Sequence, residues 1–321
     1  MPGFDSVTRN YISQPHVFAD IFNYLAYKGE RVIESNLLAE ADSRLTVVLP
    51  TASIKGGAQE GIRDVLNRTV IRRDGRQYYL LLGIENQTQI DYGMPARVFL
   101  YDALEYNHMM DLVKSRCKPY PADVPFTSSL PKDCRLSPVI TAVVYFGLTR
   151  WDGPMTMHDM LDIPDDSIRQ LIPDYPLNII EAAFLSEEEL RRFRSDFSLL
   201  GGILKCAHDK EKMKKLFERN KSYQRLDCLT AQVVSRLTNT NLTIDNNIQE
   251  TVDMCKAFDD MREEGREEGM KNERADNILR TIHFQMEKKK PFTDIVECLT
   301  GVFGVSEGEA ENWISKAVMA R

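Results

Sequence analysis

Residues 62–87 read IRDVLNRTVIRRDGRQYYLLLGIENQ, and this stretch contains the pattern that decides the fold. Two runs rich in β-branched, aromatic and leucine residues flank Asp74-Gly75, and Asp-Gly between such runs is a strong signal of a hairpin with a two-residue turn. If those two residues form a type I′ turn, Arg73 lies opposite Arg76, and Asp64 lies opposite Glu85. The stretch therefore predicts a β-hairpin that places two acids side by side.

The two acids of this hairpin need a neutralising partner. Directly opposed side chains on one sheet face have β-carbons about 5 Å apart, and like charges there destabilise the sheet. A divalent cation would remove this cost, and oxygen ligands favour Mg²⁺ or Mn²⁺ over Zn²⁺. The alternative is that a bulge or another turn breaks the register, and Asp64 and Glu85 are then ordinary surface acids. Glu85 is harder to explain in that way, because it follows the apolar run LLLGI, where an unpaired carboxylate is costly.

Gln87 follows Glu85 at the two-residue repeat of a strand, so both side chains project from the same face of the sheet. Its neutral amide can hydrogen bond to a phosphate oxygen or to a water molecule without the charge of a lysine. We expect Gln87 to orient a reactant better than it activates one.

The segments around the hairpin predict an α/β domain. Residues 15–40 and 94–113 carry apolar residues at helical spacing and predict helices before and after the hairpin. The run PVITAVVYF at 138–146 predicts a strand that is buried on both faces, and a further short strand is expected at 177–181. Helical patterns dominate the remainder of the chain, beginning with a capping box at Ser186.

Shifts in pattern predict three parts of the chain. Residues 10–205 hold the predicted strands, and residues 206–280 form a helical extension and a charged connector that contains EEGREEG. Residues 281–321 form two short amphipathic helices, which are too short to build a core of their own. The charged connector predicts pairing with a second copy of the chain, hence a homodimer, and a solvated single helix is the alternative.

Composition excludes several classes of protein. The formal net charge of −7 argues against a global positive field, so nucleic acid would have to bind at a local basic group of residues. The amino terminus does not resemble a signal peptide, no apolar run is long enough to span a membrane, and no CxxC pair indicates a zinc site. The five histidines are isolated from nucleophiles, which argues against acyl transfer. We expect a cytoplasmic protein without a membrane partner.

At the hairpin acids the sequence resembles the Rpn family of recombination-promoting nucleases and transposase-like proteins. The resemblance is carried by GIRDVL, LLLGIENQT, DYGMPARVFLYDALEY, PVITAVVYFG followed by WDGP, and EEGREEGM, and it covers most of residues 10–270. It implies a PD-(D/E)xK, restriction-endonuclease-like fold: a mixed sheet flanked by helices, here with a helical C-terminal extension.

The resemblance also implies roles for individual residues. Asp64 and Glu85 match the acids that hold the metal ion, and Gln87 stands where the superfamily more often has lysine. Asp20 falls where such nucleases often carry a further acid, although a helix-surface aspartate is the alternative. Arg63 and Arg97 are expected to contact DNA phosphates.

The function expected from the sequence is a Mg²⁺- or Mn²⁺-dependent DNA endonuclease that promotes recombination or transposition. Its sequence specificity should be low, because phosphate contacts carry no sequence information and no base-reading motif is present. The arginines of the hairpin, including Arg73 and Arg76, would clamp the DNA backbone. The rival is a protein that keeps the nuclease fold but cuts nothing and acts in nucleic-acid binding or assembly.

Overall fold

A computed structural model describes residues 4–41, 44–47, 59–116, 130–131, 133–238, 240 and 251–319. Within these residues the helices are α1 Phe4–Ile12, α2 Pro15–Tyr27, α3 Met94–Arg116, α4 Asp166–Arg169, α5 Glu187–Leu190, α6 Phe197–Lys205, α7 Lys210–Arg219, α8 Cys228–Leu237, α9 Met254–Glu287, α10 Phe292–Phe303 and α11 Glu307–Met319. The strands are β1 Ala39–Glu40, β2 Arg44–Val47, β3 Gln59–Ile62, β4 Val65–Arg73, β5 Arg76–Gln87, β6 Val139–Tyr145, β7 Asn178–Glu181, β8 Leu226–Asp227 and β9 Thr251–Val252.

A mixed five-stranded sheet organises the first part of the chain, in the order β1-β4-β5-β6-β7. The pairs β1/β4 and β4/β5 are antiparallel, whereas β5/β6 and β6/β7 are parallel. The strand predicted at 138–146 is β6, which has a neighbour on each side and a buried apolar run from Ala142 to Tyr145. This α/β arrangement with flanking helices is the expected fold class and is compatible with a restriction-endonuclease-like fold.

The β4–β5 hairpin has the predicted register, with Arg73 paired with Arg76 and Val65 paired with Ile84. Asp74 and Gly75 have φ angles of 51° and 72°, which is the backbone that a type I′ turn requires at both central positions. The Asp-Gly turn therefore fixes which residues of the two strands face each other, as the sequence predicted.

Helices cover both faces of this sheet. Val98 of α3 packs with Val143 of β6, on the sheet face that also carries Glu85. On the opposite face, Phe22 of α2 lines a small cavity together with Leu80 and Leu82. The sheet is thus the middle layer of a three-layer arrangement, and α3 alone of these two helices adjoins Glu85.

The chain divides into two compact units, Met1–Cys255 and Lys256–Arg321. This division differs from the predicted boundaries after 205 and after 280, because α6 and α8, on either side of the first boundary, pack against each other and α8 also packs against α1. The three-part domain scheme itself remains a prediction.

Residues 281–321 pack into a hydrophobic core of the second unit, although by themselves they are too short to build one. The reason is that α9 continues past the predicted boundary and contributes Ile278 and Ile282 to this core. Its other buried members are Ile295, Leu299, Ala310, Ile314 and Ala317. None of the helices within the described residues combines the length and apolarity needed to cross a membrane.

Candidate active site

The structure brings Asp64 and Glu85 together at one end of the β4–β5 hairpin. Asp64 immediately precedes β4, and Glu85 is the residue after Ile84, the last β5 residue paired with β4. The Asp64 side chain reaches across to β5, where its Oδ2 accepts a hydrogen bond of 2.9 Å from the backbone N–H of Asn86. Asp64 lies one residue outside the regular ladder, and its carboxylate is near enough to Glu85 to contribute to the raised pKa of that side chain.

Glu85 is a deeply buried carboxylate with a side chain only 1% exposed. Burial raises its pKa to about 7; the guanidinium of Arg97 acts against this rise and the neighbouring Asp64 carboxylate adds to it. The Oε1 atom is buried and has no hydrogen-bond partner within the described residues. The acid after LLLGI is thus buried, with Arg97 and Arg63 as nearby cations and one oxygen that accepts no hydrogen bond from the described residues; a metal ion at this acid stays a prediction.

Two partly exposed arginines contact the paired acids. Arg97 of α3 bridges two carboxylates, with Nη2 at 3.0 Å from Oε2 of Glu85 and Nη1 at 2.9 Å from Oδ2 of Asp91. Arg9 of α1 contacts Asp64 twice, through Nε to the backbone carbonyl at 3.0 Å and through Nη2 to Oδ1 at 3.4 Å. The Arg97 side chain is 34% exposed, so it is open to solvent as well as to Glu85.

Arg63 is a buried cation, and this corrects the expectation that it contacts DNA phosphates. Its side chain is 1% exposed, and Nη2 donates a hydrogen bond of 2.6 Å to Oδ1 of Asp102 in α3. Its Nε lies 3.9 Å from Oε1 of Glu85, and its guanidinium lies over the ring of Tyr101. Because the protein surrounds it, a phosphate has no access to this side chain.

Asp102 is the centre of a buried polar network behind the paired acids. Besides Arg63, it accepts hydrogen bonds from Oγ1 of Thr141 at 2.6 Å and from the hydroxyl of Tyr175. These donors come from β6 and from the segment before β7, so one carboxylate joins α3 to two parts of the sheet. Asp102 thus holds Arg63 beneath Glu85 through Nη2, whereas Nε and Nη1 of Arg63 are buried and form no hydrogen bond within the described residues.

Gly83 makes room for Arg63 on the surface of β5. A β-carbon at this position would lie 2.5 Å from Nη1 and 2.8 Å from Cδ of Arg63. The Arg63 side chain therefore lies against β5 at Gly83, which has no side chain and stands two positions before Glu85. The glycine in LLLGIE is explained by this close approach.

Asp20 is not brought to the paired acids. Its Oδ2 accepts hydrogen bonds of 2.7 Å from the backbone N–H groups of Arg194 and Ser195 and from the Ser195 hydroxyl. Within the residues that the structure describes, no group of three His, Cys, Asp or Glu side chains is arranged to hold a metal ion. Asp20 anchors the turn before α6 to α2, which is a structural task.

Gln87 projects from the same face as Glu85, at the end of β5, where its register partner is Tyr145 of β6. It is half-buried, and its side-chain amide forms no hydrogen bond within the described part of the chain. Gln87 is therefore positioned near the paired acids with its donor and acceptor available.

Arg73 and Arg76 are exposed at the turn of the hairpin, and their contact with DNA stays a prediction. They are distant from the paired acids, since the nine residues from Arg76 to Glu85 span about 30 Å of extended strand. The structure thus separates the predicted arginines into a buried one, a partly exposed one at the acids, and a distant exposed pair.

The oxygen donors at the paired acids fit a hard divalent cation. Asp64, just before β4, and Glu85 of β5 supply carboxylates, and Oε1 of Glu85 is a buried acceptor without a hydrogen-bond partner in the described residues. Mg²⁺ characteristically binds through one or two carboxylates and takes its remaining ligands from water and phosphate. Asp64 and Glu85 are the carboxylates that would hold such an ion.

Sequence reasoning missed Arg9, Asp91, Asp102 and Tyr175. Asp102 left a readable signal, because Val98, Asp102 and Met109 share the apolar face of α3 at helical spacing, and an acid on such a face needs a buried partner. Arg9 and Tyr175 left none, since they are distant in sequence from the hairpin.

The fold and the paired carboxylates define an α/β protein whose architecture is compatible with the restriction-endonuclease-like nucleases. A family model described as "Putative transposase, YhgA-like" matches residues 36–233, which is more than half of the chain, and the chain belongs to this family. The match includes Asp64, Glu85 and Gln87 but neither Arg9 nor Asp20. No curated protein and no solved structure matches the chain.

Proposed function

We propose that the protein is a metal-dependent endonuclease that hydrolyses phosphodiester bonds of DNA with low sequence specificity. The observation that carries the proposal is the closeness of Asp64, just before β4, to Glu85 of β5, with a buried oxygen of Glu85 that accepts no hydrogen bond from the described residues. Membership of a transposase-like family supports a role in DNA rearrangement, such as recombination or transposition.

The protein's own groups have distinct tasks in this proposal. Asp64 and Glu85 would hold Mg²⁺ or Mn²⁺, which when bound lowers the pKa of a water molecule and stabilises charge on the phosphate. Gln87 would orient the attacking water through its amide. Arg97, partly exposed and adjacent to Glu85, would contact a phosphate oxygen, because a guanidinium is suited to such contacts. The Arg63–Asp102 pair would keep Glu85 in place.

A second function is favoured by a specific observation, the ion pairs that the acids already make. Arg9 contacts Asp64 and Arg97 contacts Glu85, so each carboxylate has a cation supplied by the protein. A chain with the nuclease fold, these internal ion pairs and glutamine in place of lysine would bind or assemble on DNA without cutting it. Cleavage that depends on both acids, measured together with metal binding, separates the two proposals.

The test combines cleavage with a measurement of metal binding. Purified protein would be incubated with supercoiled plasmid and Mg²⁺ or Mn²⁺, beside Asp64→Asn, Glu85→Gln and an EDTA control, with Asp111→Asn on the exposed side of α3 as the matched control. We expect nicking by the wild type and by Asp111→Asn, and at least a 100-fold loss in the other two variants. Titration calorimetry with Mn²⁺ should show binding that only the two site variants lose.

Each outcome has a defined meaning. Metal binding without cleavage of the plasmid would overturn the proposal of a nuclease and favour a protein that binds DNA without cutting it. Cleavage that survives Glu85→Gln would overturn the assignment of the site. Intact DNA and no metal binding under all conditions would favour the second function, in which the protein binds or assembles on DNA and its acids are neutralised by internal ion pairs.

We also propose that the protein acts as a cytoplasmic homodimer through its C-terminal helices, since two cuts in a duplex are most simply made by two active sites. Light scattering after size-exclusion chromatography would test this. Removal of residues after 255 should convert a dimer to a monomer, and a monomeric full-length chain would contradict the proposal.

A further inference from the structure

The outer end of the β4–β5 hairpin differs in exposure from the rest of the hairpin. Residues 72–79, with the sequence RRDGRQYY, are all exposed, whereas residues 80–86 are all buried. We call residues 72–79 the arm. Its type I′ turn and its continuous ladder give it a defined shape, because both strands remain paired up to Arg73 and Arg76.

The arm carries a net positive charge that no acid elsewhere in the described part of the chain neutralises through an ion pair. It has three arginines and one aspartate, in a chain whose net charge is −7. Arg72, Arg73 and Arg76 form no ion pair with any residue that the structure describes. An anionic partner such as a nucleic-acid backbone would complement this charge.

The arm also exposes two aromatic rings beside these arginines. Tyr78 is 42% exposed and Tyr79 is 61% exposed. Successive residues of a strand face opposite sides, so the register places Tyr79 with Arg72 on the face of Glu85 and Tyr78 with Arg73 and Arg76 on the other. Each face of the arm therefore combines a ring with cationic side chains.

We propose that the arm binds single-stranded DNA, with unpaired bases stacked on Tyr78 and Tyr79 and phosphates held by Arg72, Arg73 and Arg76. Bases within a duplex are already stacked on each other, so exposed rings add little to duplex binding, whereas an unpaired base offers a free face. This inference rests on the proposed function in one respect: the choice of DNA as the nucleic acid comes from that proposal.

The position of the arm indicates that it selects the substrate and does not take part in the reaction. The six residues from Tyr79 to Glu85 span about 20 Å of strand, so a base on the arm lies several nucleotides from a phosphate at the acids. The substrate class that follows is DNA with an unpaired stretch near the cleaved bond, such as a frayed end, a gap or a displaced strand.

The test measures binding separately from cleavage, by fluorescence anisotropy in EDTA with a short labelled oligonucleotide, its duplex and the RNA strand of the same sequence. Wild type should bind the DNA strand at least tenfold more tightly than the duplex. Tyr78→Ala/Tyr79→Ala should weaken binding of the single strand by about tenfold or more and duplex binding by less than twofold. Tyr78→Phe/Tyr79→Phe, which keeps both rings, should bind as the wild type does.

A charge control uses a second exposed basic group. Arg72→Gln/Arg73→Gln/Arg76→Gln should weaken binding of both DNA forms, whereas Lys212→Gln/Lys214→Gln/Lys215→Gln on α7, with the same change of charge, should leave both nearly unchanged. All substituted side chains are exposed, and thermal denaturation would confirm that the variants remain folded.

The failure of this inference is distinguishable from the failure of the nuclease proposal. The proposal that the arm binds single-stranded DNA would be refuted by either of two results. One is an unchanged ratio of single-strand to duplex affinity in Tyr78→Ala/Tyr79→Ala, and the other is tighter binding of duplex than of single strand by the wild type. Tighter binding of the RNA strand would also overturn the assignment to DNA. If the protein binds the DNA strand selectively but cleaves nothing, the proposed binding role of the arm is supported and the proposed nuclease activity is refuted.

Discussion

The inner and outer ends of the β4–β5 hairpin use the same residue types for opposite purposes. At the inner end, Arg63 and Glu85 are buried and held by Asp102 and Arg97. At the outer end, Arg73 and Arg76 are exposed and form no ion pair within the described residues. An arginine inside the protein neutralises acids and positions them, whereas an arginine at the turn is available to a ligand. Burial, and not residue type, decides which of the two tasks each arginine performs.

The largest expected effect is on stability, at Arg63. Arg63→Met removes the cation while Asp102 and Glu85 remain buried, so the free energy of unfolding should fall by about 3–5 kcal/mol. Arg73→Met at the outer end should change it by about 0.5 kcal/mol or less. Urea denaturation of both variants measures the difference.

A double substitution serves as the control for Arg63. Arg63→Met/Asp102→Asn removes both charges and should be less destabilised than the sum of the two single variants. If Arg63→Met were as stable as Arg73→Met, the contrast between the two ends would fail.

The second effect is a pH dependence that arises from Glu85. Its pKa is raised from 4.5 to about 7 by burial, so the folded state binds the proton more tightly than the unfolded state does. The resulting stabilisation is full below pH 4.5 and is lost as the pH rises through 7. Between pH 4.5 and pH 7, the free energy of unfolding of the wild type in EDTA should fall by about 3 kcal/mol relative to that of Glu85→Gln.

Denaturation of the two proteins at several pH values would measure this loss. Parallel stability curves for the wild type and Glu85→Gln would show that Glu85 stays ionised when folded.

A smaller effect compares two glycines of the hairpin. Gly83→Ala places a β-carbon 2.5 Å from Arg63 and should cost about 2 kcal/mol through overpacking. Gly75→Ala meets no atom within 4 Å, and its cost of about 1 kcal/mol comes from the positive φ alone. In the background of Arg63→Met the cost of Gly83→Ala should shrink, whereas an unchanged cost would contradict the assigned contact.

The smallest effect on stability is expected at the arm, together with a measurable effect on binding. Arg76→Gln should leave the free energy of unfolding within about 0.5 kcal/mol of the wild type. The slope of log affinity for single-stranded DNA against log salt should decrease in magnitude by about 0.7, the value for one lost phosphate contact. An unchanged slope would show that Arg76 does not contact the backbone.

Much of the fold was predictable because it rests on local signals. Asp74-Gly75 specified the turn, and the turn specified the register that brings Asp64 to Glu85. The capping box at Ser186 formed as predicted, with reciprocal hydrogen bonds between Ser186 and Glu189. These features depend on residues close in sequence, where turn chemistry and periodicity apply directly.

The roles of the arginines and of Asp20 were not predictable in the same way. Arg63 and Arg97 were both expected to contact DNA phosphates. Arg63 is buried beside Asp102 and Tyr101, whereas Arg97 reaches solvent. Asp20 was expected among the metal ligands, but it meets the backbone of residues 194–195, far away in sequence. Such pairings arise from packing between distant segments, which periodicity does not report.

The sequence by itself determined the hairpin, its register and the side-by-side placement of two acids, because a two-residue turn leaves the strands no other alignment. Only the tertiary structure decided that Glu85 is buried beside an internal cation, that Asp102 holds this cation, and that the arm stays exposed. The physical reason is that the cost of a charge depends on the solvent around it, and that solvent is excluded by elements from the whole first unit.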